Sequence, residues 1–129
     1  MNFSSMRTER SKITGMGSAK SGTEHFWRQR LTAIANVPLT IGFICMVLTS
    51  LSKDYAGVKA SFGSPLGALV LVLFIGSAVY HMRLGMQVIV EDYLPHEGAK
   101  TGALIANNFF AALVAGACIL AILKLSFGA

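Results

Sequence analysis

Three stretches of this chain are long, apolar and nearly free of charge: residues 31–51 (LTAIANVPLTIGFICMVLTSL), 64–90 (SPLGALVLVLFIGSAVYHMRLGMQVIV) and 102–123 (GALIANNFFAALVAGACILAIL). A helix needs ~20 residues to cross the hydrocarbon core of a bilayer, and each stretch is long enough to do so. With 53% hydrophobic and only 13% charged residues, the chain is too apolar for a small soluble domain. The expected fold is an all-α membrane protein with three transmembrane helices at about 31–51, 64–90 and 102–123. The second stretch is longer than a perpendicular crossing requires, so its helix is expected to tilt or to run past the hydrocarbon. Outside the spans only a polar leader, two short loops and a C-terminal stub remain. A flexible basic leader over 1–23 and one three-span membrane domain over 24–129 are the expected divisions.

The leader carries Arg7, Arg10, Lys12, Lys20, Arg28 and Arg30 against Glu9 and Glu24, so most of the formal net charge of +5 lies there. Positive charge flanking a first span is retained on the cytoplasmic side, which puts the N-terminus in the cytoplasm, loop 52–63 outside and loop 91–101 inside. The loops weigh the other way, with Lys53 and Lys59 outside and Lys100 inside. The six leader charges carry more weight. The leader lacks an early apolar run and a small-residue cleavage site, so it does not read as a secretory signal peptide. Its basic residues can touch anionic lipid, although a solvated tail explains them as well. Nothing points to nucleic acid. Cys45 and Cys118 fall within spans without any CxxC or Cys/His spacing, and read as small buried hydrophobes.

Polar residues inside the spans carry the functional signal. A polar group buried in hydrocarbon without a partner costs several kcal/mol, roughly, so an intramembrane histidine faces a helix, a water cavity or a metal cofactor. His81 is such a residue, in the run HMRLGMQVIVEDY. At 100° per residue Ser77, His81 and Gly85 share one stripe, where small neighbours admit either a packed helix or a flat macrocycle. Asp92, eleven residues on, returns to within about 20° of the His81 direction if the helix persists, and Tyr93 stands about 18 Å along the axis, near the membrane edge. Pro95 then stops the helix. Ser64 and Pro65 form a helix-start signal for the second span. Pro38 predicts a kink in the first span, where Asn36 can bond a freed carbonyl or a partner helix. Arg83 points about 200° away from His81, which predicts snorkelling to the interface or pairing with another subunit. Asn107 and Asn108 are expected to mark the protein-facing side of the third span.

The stretch H81-x-x-x-G85-x6-D92-Y93 resembles the small cytochrome b anchor subunit of succinate dehydrogenase, respiratory complex II, and so do the three-span topology, the basic leader and R30-L-T-A-I before the first span. The likeness covers residues 24–125. It implies a pair of anchor subunits within a multi-subunit helix bundle, holding one haem b between them, with one axial histidine from each. His81 would then ligate the haem iron, and the second cytochrome b anchor subunit would supply the other ligand. Tyr93 would hydrogen-bond a quinone, and Asp92 beside it would deliver protons. Arg30 would meet a haem propionate. Anchoring at the interface explains Arg30 almost as well, and Trp27 equally. His25 lies five residues before Arg30, a register that departs from the family's usual histidine.

The function implied is a membrane anchor of succinate:quinone oxidoreductase, which helps reduce ubiquinone in the bacterial cytoplasmic (inner) membrane. The chain has neither a dinucleotide fingerprint nor an iron–sulfur cysteine pattern, so the resemblance assigns those tasks to a flavoprotein subunit and an iron–sulfur subunit. Three alternatives compete: a fumarate reductase anchor, a haem-free structural or assembly protein whose His81 and Arg83 only join helices, and a transporter subunit. Three spans without repeats or broken helices weaken the last.

Overall fold

The computed structural model describes residues 20–128, which form helices α1 (Lys20–Ser50), α2 (Tyr55–Gly63), α3 (Pro65–Tyr93) and α4 (Glu97–Phe127). The rest of the leader, residues 1–19, lies outside the described residues, and Lys20 already belongs to the first turn of α1. Three helices are long and apolar enough to cross a membrane, with 29, 29 and 31 residues over Gly22–Ser50, Pro65–Tyr93 and Glu97–Phe127. At 1.5 Å per residue such helices measure about 44–47 Å, against ~30 Å of hydrocarbon. Their ends must therefore stand among headgroups or beyond, as the length of the second stretch suggests. Pro38 lies inside α1, which continues through it to Ser50.

The segment expected to be a loop, residues 52–63, is mostly the short helix α2. The Asp54 side chain starts it by accepting the backbone N–H of Gly57 at 2.9 Å, an N-cap that satisfies one of the free donors of the first turn. Ser64 both ends α2 and begins α3, with extended backbone at φ −61° and ψ 152°. Its Oγ donates to the Ser61 carbonyl at 2.8 Å and accepts the Gly67 N–H at 3.1 Å. Pro65, with no N–H to orphan, follows in the first turn. The corner is tight enough to require glycine. A Cβ on Gly67 would run into the Ser61 carbonyl and lie 2.9 Å from Ser64 Oγ, while one on Gly63 would lie 2.5 Å from the Leu125 carbonyl of α4.

Helix α3 is the centre of the molecule. It packs against both α1 and α4, whose backbones do not approach each other among the described residues, and α2 rests against all three. The spans therefore form an open arrangement rather than a closed three-helix bundle. Leu71, Leu84 and Val90 of α3 and Ala111 and Ile122 of α4 are buried, while no large side chain is fully enclosed among the described residues. Across α1 and α3, Phe43 and Phe74 stack at 4.9 Å between ring centroids. Outward apolar residues such as Ile34 and Val37 on α1 and Phe109 and Leu113 on α4 remain exposed, as suits surfaces that face lipid or other helices. At the far end Gly128 adopts φ 72°, a left-handed C-cap of α4.

Gly67→Ala should destabilise the corner by about 1–3 kcal/mol, the usual cost of forcing an extra methyl into packed structure. Gly76→Ala, where an added Cβ meets nothing within 4 Å, is the control. Heating detergent-solubilised protein and following the loss of the monodisperse peak should rank Gly67→Ala clearly below both the control and the parent. Equal thermal midpoints would contradict the steric account.

Candidate functional site

His81 lies half-buried on the side of α3 that meets α1. Its Nδ1 is 3.0 Å from Thr32 Oγ1, one hydrogen bond joining the two helices inside the membrane. Nε2, the other ring nitrogen, makes no hydrogen bond among the described residues and is not among the buried unpartnered atoms. The neighbouring levels of the same seam are close-packed or polar. A Cβ on Gly85 would sit 3.4 Å from Gln29 Nε2, and Arg28 Nη1 donates to the Tyr80 hydroxyl at 3.3 Å. Arg28 also pairs with Glu24 one turn back. The stripe of small residues around His81 thus turns at least partly to α1: Gly85 lies against Gln29, and Ser77 Oγ is buried without a partner.

The seam opens at its N-terminal end into a cleft of ≈ 210 Å³ lined by Glu24, His25, Arg28, Tyr80, Arg83, Leu84 and Gln87. Three buried atoms along the α1 side, His25 Nε2, Gln29 Oε1 and Asn36 Oδ1, have no hydrogen-bond partner. Asn36 Nδ2, the amide group able to donate to a freed carbonyl, makes no hydrogen bond among the described residues.

Arg83, which also lines this cleft, is answered within the chain from α4. Its Nε donates to Asn108 Oδ1 of α4, and its own carbonyl accepts from Asn107 Nδ2 at 3.0 Å. Neither snorkelling nor a second subunit is needed to explain Arg83, and both asparagines face α3 as expected. Asn107 is buried.

Asp92 and Tyr93 occupy the last turn of α3, just before the cap at Leu94 and the break at Pro95. Both are exposed, Tyr93 at 80%, and neither side chain has a hydrogen-bond partner among the described residues. They stand about 18 Å along the helix from His81, so the rim and the membrane histidine are separate places on one helix. Arg30 joins neither. Its guanidinium lies 4.9 Å over the Phe26 ring of its own helix, exposed near the membrane edge. No group of three or more His, Cys, Asp or Glu residues able to hold a metal ion occurs among the described residues, and Cys45 and Cys118 are free thiols.

A family model described as the succinate dehydrogenase/fumarate reductase transmembrane subunit matches residues 4–116. The chain belongs to this family. It is 30% identical over 122 residues to the succinate dehydrogenase hydrophobic membrane anchor subunit of Paracoccus denitrificans, covering 95% of this chain and 94% of the relative. The subunit of the same name from Rickettsia bellii is 32% identical over 116 residues, 90% of this chain and 93% of the relative. The succinate dehydrogenase membrane anchor subunit of Reclinomonas americana is 32% identical over 85 residues, 64% of this chain and 69% of the relative. No solved structure gives a significant match. Family membership and the three spans together make this transmembrane subunit an integral membrane protein.

Sequence reading singled out His81, Asp92, Tyr93 and Arg30 but not Thr32, the residue that holds His81. Thr32 lies within the R-L-T-A-I string already noted; what was missing was the register between α1 and α3. The Arg83–Asn108 contact was hidden for the same reason. A double-mutant cycle of Arg83→Met and Asn108→Leu should yield a coupling of about 0.6 kcal/mol, the average for side-chain hydrogen bonds between membrane helices, and no more than about 1.7. Additive effects on thermal stability would mean that the two side chains do not interact.

Proposed function

We propose that this chain is the membrane anchor subunit of a succinate:quinone oxidoreductase, that His81 is one axial ligand of a haem b shared with a second cytochrome b anchor subunit, and that Tyr93 and Asp92 form part of the ubiquinone-reduction site. The anchor role rests on the names of the relatives. The observation that carries the haem assignment is the state of His81, held to Thr32 through Nδ1 while Nε2 stays unpartnered. No set of three residues able to hold a bare ion lies together among the described residues. Iron already held in a macrocycle needs only one nitrogen from each side, so the donor chemistry fits haem.

When bound, the haem would supply a one-electron store beside the quinone. The chain's own residues do the rest. His81 contributes an imidazole nitrogen and orients it through the bond to α1. Arg30, exposed and with no carboxylate partner among the described residues, offers a guanidinium to a propionate at the membrane surface. At the rim the Tyr93 phenol donates a hydrogen bond to a quinone carbonyl oxygen, which favours charge building on that oxygen as electrons arrive. Asp92 next to it holds a proton that the reduced oxygen can take. Reduction consumes two electrons and two protons, and electrons would come from succinate through flavoprotein and iron–sulfur subunits docked on the cytoplasmic face of the bacterial inner membrane. The six leader charges support an N-terminus on that face, which puts the end of α3, with Tyr93, on the same side.

The family description spans fumarate reductase as well, but the relatives named above are succinate dehydrogenase anchors. A histidine that merely joined two helices would also bond Thr32, so the deciding test is optical. A dithionite-reduced minus oxidised spectrum of the intact complex, isolated through this chain, should show a low-spin b-type band that His81→Leu abolishes or alters. An intact complex without haem would leave the haem-free structural reading. For the rim, Tyr93→Phe should lower quinone reduction roughly 100- to 1,000-fold, the order lost when one preorganised donor to a reacting oxygen is removed. Haem content and succinate oxidation by an artificial acceptor should stay at the parent level. Normal quinone turnover in Tyr93→Phe would remove that tyrosine from the site.

A further inference from the structure

We infer that Thr32 is a positioning residue for His81: its hydroxyl accepts a hydrogen bond from Nδ1–H, which fixes the ring in the tautomer whose Nε2 carries a free lone pair. The inference rests on the reading of His81 as a ligand and adds the residue that makes it one. Thr32 Oγ1 has three polar neighbours, the Arg28 carbonyl at 2.8 Å, the Gln29 carbonyl at 3.1 Å and His81 Nδ1 at 3.0 Å. A threonine hydroxyl has one proton and two lone pairs. The two carbonyl oxygens can only accept, so the hydroxyl satisfies its whole environment by giving its proton to them and turning a lone pair to the ring. His81 must then be the donor in the third contact. The opposite assignment, with the hydroxyl donating to Nδ1, would place the ring's proton on Nε2, which has no acceptor among the described residues. A donor without a partner in hydrocarbon is costly, and a protonated Nε2 cannot bind iron.

The contact also sets the direction of the ring. Thr32 is held in place by its own helix, since both carbonyls belong to the preceding turn of α1, and its β-branched side chain is stiff at χ1. One turn along α3, the Gln29 side chain of α1 comes within ordinary contact of Gly85. His81 is thus tethered to a rigid acceptor on a neighbouring helix, the arrangement by which outer partners of a metal-bound histidine raise its basicity and limit its rotation. A more basic imidazole favours the ferric state. Loss of the acceptor should move the haem toward the ferrous state, that is, to a higher midpoint potential.

The test compares the parent complex with Thr32→Val, Thr32→Ser and His81→Leu, each in native membranes and shown to be assembled. Haem oxidation state is read by optical redox titration, and ligand geometry by the low-temperature electron paramagnetic resonance signal of the ferric haem. Thr32→Val keeps the shape and removes the acceptor. It should lower the ferric-to-ferrous ratio at a fixed ambient potential by about three- to tenfold, the effect of ~1 neutral hydrogen bond, and should shift the ferric signal. Thr32→Ser should restore both. If valine blocks assembly, Thr32→Ala is read in the same way. A potential and signal unchanged in Thr32→Val, or shifted equally in Thr32→Ser, would assign Thr32 to packing and overturn the inference. A haem spectrum unaltered in His81→Leu would overturn the ligand reading and this inference together. A haem sensitive to His81→Leu but indifferent to the Thr32 hydroxyl would overturn only the latter.

Discussion

Hydrocarbon offers no hydrogen bonds, so a polar side chain that α3 carries into the membrane is costly unless a group beside it answers it. Helix α3 touches both α1 and α4, whose backbones do not approach each other among the described residues, and it divides its polar residues between them. Toward α1 it presents Tyr80 and His81, met by Arg28 and Thr32. Toward α4 it presents Arg83, whose side chain meets Asn108 and whose carbonyl meets Asn107. His81 and Arg83 point about 200° apart around an ideal helix, and their partners lie on opposite neighbours accordingly. Turning α3 about its axis would break both sets of bonds at once. Its rotation is therefore fixed, and with it the direction of Asp92 and Tyr93 at its end.

Register along the axis comes from packing together with a hydrogen bond. Thr32 with His81, Gln29 with Gly85, and Phe43 with Phe74 pair as antiparallel helices must, the residue number rising on one as it falls on the other. The corner at Ser64 sets where that pairing starts, because α2 and α3 share the residue and Gly67 leaves no room between them.

The spans, the helix start at Ser64 and Pro65 and the stop before Pro95 were legible because each is a local property of the chain: apolar length, a capping hydroxyl, a missing N–H. Helix α2 was not legible. Nine residues with no buried member have little periodicity to read, and the helix depends on the Asp54 cap and on contact with α4. At the site, the apolar surroundings singled out His81, but its partner is 49 positions away. Which residue of α1 meets it depends on the interhelical register, which no local pattern encodes. Arg83 shows the same gap from the other side. Snorkelling was the natural expectation for an isolated helix, and Asn108, 25 positions on, makes it unnecessary.

Polarity along the α1–α3 seam is graded. His25, Gln29, Thr32 and Asn36 of α1, and Ser77, Tyr80 and His81 of α3, occupy the half nearer the start of α1. Further along, Gly42 approaches Val70 and Phe43 stacks on Phe74, groups that neither give nor take a proton. His81 lies within the polar half, and α3 ends beyond it on the same side with Asp92 and Tyr93. A proton relay inside this seam could reach the histidine level from one face of the membrane and would stop at the stacked phenyl rings. If Tyr93 and Asp92 handle a quinone as proposed, the two protons of each turnover are drawn from the face on which those residues stand. Electron transfer through this subunit would then move no proton across the bilayer along the seam.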